Sequence, residues 1–196
     1  MKNTSRINLD NVTDPRLHEV LKTVNASCMK LGIDFYLLGA LARDVWFKQQ
    51  QIPAGGTKDV DFAVFPGIVL LKLIAFDDRP EHRHNHPIDC ISIIKNYFSI
   101  ESDLIYDEHN DLFGEPNREL ETIAARVIGR EMRKPLDQDV KLKERALGIL
   151  NKHIAMGDKS DFILRMATQA YIGTEECKLY LSELVAGIAD PMTGSV

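Results

Sequence analysis

The sequence holds too few cysteines for a covalent scaffold: Cys28, Cys90 and Cys177 are odd in number and far apart. Neither a disulfide framework nor a paired-cysteine zinc site fits that spacing, so reduced and mostly buried thiols are expected. The opening residues carry no apolar stretch of the kind a secretory leader needs, and a cytoplasmic protein is expected. The longest apolar run, Ile68 to Leu71, falls far short of the ~20 residues that span a bilayer. Positive charge is also in deficit, with 24 basic against 29 acidic residues and a formal charge of −5. That excludes a broad basic face for non-specific nucleic-acid binding, although a local basic pocket remains compatible. No repeat or low-complexity tract is present. What the chain does have is apolar material, 44% of 196 residues, enough for a core without staples.

Periodicity organises that material. Asp14-Pro15 has the form of an N-cap followed by proline in the first turn, and Leu17, Leu21, Val24 and Cys28 repeat at helical spacing up to Gly32. Residues 33–38 form a short aromatic and aliphatic run ended by Gly39, which predicts a buried strand. Residues 40–48 read as a helix. Residues 59–65 alternate cleanly and predict a second strand. Helices are predicted over 68–76, 88–98, 118–133, 140–156, 161–172 and 175–189. Val140, Leu147, Leu150 and Ile154 share a face in one of these, and Cys177, Leu181, Leu184 and Ile188 share a face in another. Phe162, Met166 and Tyr171 are expected in the core, and the acidic stretch 99–116 reads as a linker.

Asp59 and Asp61 carry the clearest chemistry. Two apart on a strand, they project to one side, where their mutual repulsion would be relieved by a divalent cation such as Mg²⁺ or Mn²⁺. The turn at Gly39-Ala40 leads from strand to helix, and backbone N–H groups there suit a phosphate. An exposed acidic strand face and an ordinary turn are the bland counterparts. His82, His84 and His86 alternate and could gather around a transition metal, or simply line a solvated loop.

Taken together, Tyr36-Leu37-Leu38-Gly39-Ala40-Leu41-Ala42-Arg43-Asp44 and Thr57-Lys58-Asp59-Val60-Asp61-Phe62-Ala63-Val64 resemble the DNA polymerase beta-like nucleotidyltransferases. The nearest resemblance is to AbiE-type toxin nucleotidyltransferases of bacterial toxin–antitoxin systems. This implies an α/β fold: a minimal nucleotidyltransferase-type sheet of few strands with a C-terminal helical region. Residues 1–98 would be the core, 99–116 the linker and 117–196 the helical part. The resemblance implies that Asp59 and Asp61 hold Mg²⁺ or Mn²⁺ and that Gly39, Ala40 and Arg43 face a nucleoside triphosphate substrate. Lys72 and Asp89 would join them, although Lys72 also suits a snorkelling lysine and Asp89 a helix start. The implied activity is transfer of NMP from an NTP to an RNA, protein or small-molecule acceptor.

The chain departs from that pattern after Phe65, where the segment that supplies further strands and a third carboxylate is missing. A catalytically degenerate binding or regulatory module is therefore the alternative. The bare sheet edge would invite a homodimer.

Overall fold

The computed structural model describes residue 12 and residues 14–31, 36–38, 61–114 and 118–191. The chain divides into two compact units, Met1–Val64 and Phe65–Val196. In the first, helix α1 (Pro15–Leu31) starts as expected, with Asp14 Oδ1 accepting from the Arg16 N–H at 2.9 Å. Its Leu17 and Leu21 are buried. Strands β1 (Tyr36–Leu38) and β2 (Asp61–Ala63) pair antiparallel, with Tyr36 opposite Ala63, Leu37 opposite Phe62 and Leu38 opposite Asp61.

Those two three-residue strands are the only ones among the described residues. The expected α/β class does not hold: the described chain is helical nearly throughout, and the second unit is an all-helical fold. The physical reason is visible at Phe65. Proline fits the first turn of a helix, so Pro66 does not break the chain there but lies inside α2 (Phe65–Asp78). Among the described residues, the sheet edge on which the dimer expectation rested spans three residues on each strand.

The second unit continues with α3 (His86–Ile100), α4 (Ser102–Glu108), α5 (Leu120–Leu136), α6 (Val140–Met156), α7 (Asp161–Ala170) and α8 (Thr174–Ala189). Its division from the first unit falls ahead of the boundary expected at residue 98, and residues 65–98 pack into the helical body. Helix α2 is apolar on nearly all sides and buries Ile68, Val69, Leu70, Leu73 and Phe76. The acidic stretch expected as a linker carries α4 and a 3₁₀ turn, Asn110–Phe113. Ile105 and Leu112 anchor it by burial, and Tyr106 stacks on Phe113 at 5.0 Å.

The predicted α8 face is buried in full: Cys177, Leu181, Leu184 and Ile188. Of the face expected in α6, Leu150 is buried and Leu147 and Ile154 pack against the core. Ala146, Ile149, Leu150 and His153 are buried, whereas Val140 is 67% exposed. Asp139 caps α6 by accepting from the Leu142 N–H, and Ser160 caps α7 by accepting from the Ile163 N–H. Cys90 and Cys177 are buried free thiols, and burial pushes them up to about 12 and about 11.

Tyr171 contradicts its expected place in the core: it is 95% exposed and closes α7 in the left-handed region, at φ 56°. Only glycine occupies that conformation without steric cost, so Tyr171→Gly is expected to stabilise the unit by about 1 kcal/mol. An unchanged or lower urea midpoint would show that the tyrosine compensates for its backbone.

Helices α5 and α8 form the largest interface. Their backbones touch where Gly129 faces Gly187: a Cβ on Gly129 would lie 2.3 Å from the Leu184 carbonyl oxygen, and one on Gly187 would lie 2.2 Å from that of Arg126. This approach is possible only without side chains at both positions.

Candidate functional site

Gly39, Ala40, Arg43 and Asp59 lie outside the described residues. Asp61 opens β2, and the strand register sets it opposite Leu38, the residue immediately before Gly39. The other two residues marked by the resemblance belong to the helical unit and meet there. Lys72 on α2 donates to Asp89 on α3 with an Nζ–Oδ2 distance of 2.5 Å. Both are partly exposed, so the pair adds little stability. Beside them, His86 is held below its ordinary value by burial and by the Lys72 charge. Lys72 therefore has a carboxylate partner, and Asp89 serves as that partner while sitting in the first turn of α3.

His82, His84 and His86 do not converge. His82 and His84 are exposed, one on the 3₁₀ turn and the other on the turn that leads into α3, while His86 begins that helix. Among the described residues, a different group brings metal-ligand atoms together: Glu108, His109 and Glu131, within 4.8 Å of one another.

That group adjoins the main polar cluster of the helical unit. The close approach of α5 to α8 places Arg126 and Arg130 against Asp190, at the end of α8. Arg126 Nη2 donates to Oδ1 at 2.6 Å, and Arg130 Nε donates to Oδ2 at 2.6 Å. Arg133 donates to the Asp190 carbonyl. Glu183 accepts from Arg118 at 2.6 Å. The remaining nitrogens of Arg130 hold Asp111 bidentately, at 2.8 and 2.6 Å. Burial would raise the Asp190 carboxyl, but Arg126 and Arg130 outweigh it and hold it below the usual range. Hydrogen bonds from Arg130 lower Asp111 directly.

Arg130 also links this cluster to His109. Its Nη1 lies 3.4 Å from His109 Nδ1 and, because a guanidinium can only donate, the imidazole proton resides on Nε2. That nitrogen faces Glu131 Oε1 at 3.5 Å, close enough for attraction but not for a formed hydrogen bond. Burial pushes the Glu131 carboxyl up, whereas His109 and Lys134 more than offset this and leave it lowered.

Sequence reasoning missed Glu108, His109 and Glu131. The adjacency of a glutamate and a histidine is too common to stand out, and Glu131 joins them only through the packing of the 109–113 turn on α5. No helix among the described residues is long and apolar enough to cross a membrane. No protein-family model, curated protein or solved structure matches the chain.

Proposed function

We propose that the chain is a metal-dependent nucleotidyltransferase that takes an NTP and transfers NMP to an RNA, protein or small-molecule acceptor. One observation supports this reading above the others: the β1–β2 register, which sets Asp61 opposite Leu38, the residue immediately before Gly39 in sequence. The reading rests on that local pairing and on the Asp-x-Asp spacing, and it does not invoke an α/β domain. Asp59 and Asp61 are the ligands for Mg²⁺ or Mn²⁺, which would neutralise triphosphate charge when bound. Gly39 and Ala40 offer backbone donors to phosphate oxygens. Arg43 is the nearest basic residue in sequence to that turn.

The absence of a third carboxylate after Phe65 favours a second reading, a nucleotide-binding or regulatory module without turnover.

Thermal melting in Mn²⁺ with each of the four ribonucleoside triphosphates tests both. A ligand at a hundredfold excess over its Kd should stabilise the native chain by about 2.7 kcal/mol. Asp61→Asn is expected to abolish that stabilisation while leaving the metal-free melting temperature unchanged. Nucleotide-dependent stabilisation that is identical in both proteins, or absent from the wild type, would dismiss both readings. Pyrophosphate release by the wild type then separates transferase from binding module.

A further inference from the structure

We infer that Glu108, His109 and Glu131 form a binding site for one divalent transition-metal ion of the Zn²⁺ class, separate from the proposed Asp59/Asp61 pair. His109 is only 7% exposed, and its Nε2 has no hydrogen-bond partner. That atom is aimed at Glu131 Oε1, which is also buried without a hydrogen-bond partner. Leaving a donor and an acceptor both unmade in the interior costs stability, and a native structure normally closes such a gap or fills it. The gap of 3.5 Å matches a filled one. Two ligands at about 2.1 Å from a tetrahedral ion lie about 3.4 Å apart.

The surroundings assign the remaining roles. Lys134 engages the other oxygen of Glu131, Oε2, at 2.7 Å, which leaves Oε1 for the ion. Glu108 ends α4 with an exposed side chain, able to close the distance as the third ligand. A water molecule would complete the tetrahedron. The nitrogen ligand and the small ligand count select a borderline ion such as Zn²⁺ or Co²⁺ over Mg²⁺ or Ca²⁺, which demand more oxygens.

Binding through Nε2 moves the imidazole proton to Nδ1, with no net proton released. Nδ1 then faces Arg130, whose charge is already balanced by Asp111 and Asp190, so the 3.4 Å contact is surrendered while the arginine stays fixed. The bound ion would tie the 102–113 stretch to α5.

Titration of the metal-stripped full chain with Co²⁺ tests the assignment, because tetrahedral Co²⁺ absorbs visible light far more strongly than the hydrated ion. One equivalent should develop that absorption in the wild type and equally in Asp61→Asn. Glu108→Gln alters an exposed residue and leaves the fold intact, and it should weaken Co²⁺ binding about tenfold or more. His109→Gln should abolish the absorption, and circular dichroism reports whether that variant folds. Absence of tetrahedral absorption in the wild type, or undiminished binding in Glu108→Gln, would overturn the site. So would loss of the absorption in Asp61→Asn.

Discussion

Gly187→Ala is expected to destabilise the helical unit by about 3 kcal/mol, at the upper end of the usual overpacking range. The added methyl would meet the Arg126 carbonyl oxygen at 2.2 Å and the Arg130 nitrogen at 2.8 Å. Both are backbone atoms of α5, so no side-chain rotation relieves the clash and the two helices must separate. Separation also lengthens the bonds from Arg126 and Arg130 to Asp190, leaving partly buried charges less well compensated. The melting temperature should fall by roughly 6–12 °C. Gly148→Ala provides the control, because that glycine is exposed in α6 with nothing within 4 Å of an added Cβ. There the better helix propensity should raise stability by about 1 kcal/mol. Equal urea midpoints for the two variants would refute the close-approach account.

The second large effect is acid sensitivity from His153. Its ring stacks on Phe162 at 4.9 Å, and its Nδ1 lies 2.9 Å from Ser160 Oγ. Burial, followed by the Lys152 charge, lowers its folded-state value to about 4. In the unfolded chain the value returns to about 6.5, so unfolding takes up a proton between these limits. The neutral imidazole's contribution is therefore whole above pH ~6.5 and is lost as pH falls towards ~4, amounting to about 3 kcal/mol. Asp111, Asp190 and Glu131 are lowered as well, and their contribution is lost only at still lower pH, as each folded carboxyl protonates. Urea denaturation at pH 7, 5.5 and 4 should show the decline, and His153→Gln should flatten it. A decline of the same steepness in the variant would show that His153 does not carry it.

The helices were largely legible because their apolar residues recur at helical spacing and their ends carry caps. Residues 140–156 match α6, bounded by Asp139 and Gly157. The sheet was over-read. Alternation through Phe62 and Val64 predicts a strand to Phe65, yet the chain enters α2 there, since Phe65-Pro66-Gly67 serves as a first turn. The α6 face was legible in Leu147, Leu150 and Ile154 but not in His153, a polar residue that Ser160 and two aromatic rings accommodate in the interior. The His82–His86 run, compatible with a ligand set or a solvated loop, is exposed up to His86 as the loop reading has it, whereas the group that does converge is split between the start of a 3₁₀ turn and a helix more than twenty residues later. Periodicity identifies faces within one element. Which faces meet depends on packing between elements, and no local pattern encodes it.

The anchoring of α5 on Asp190 has a consequence for biosynthesis. During translation, the roughly fifty residues between Leu136 and Asp190 occupy about 3–10 s at typical elongation rates. Once α5 emerges, the earlier α2 and α3 can pack on it, but until α8 follows, its α8-facing side is uncovered, its glycine notch is empty and Arg126 and Arg130 lack Asp190. The nascent helical unit therefore cannot reach its final packing until nearly all of it has emerged. A chaperone that captures apolar helices has its window on this chain then, and a ribosome stalled before residue 190 would display an open, aggregation-prone intermediate.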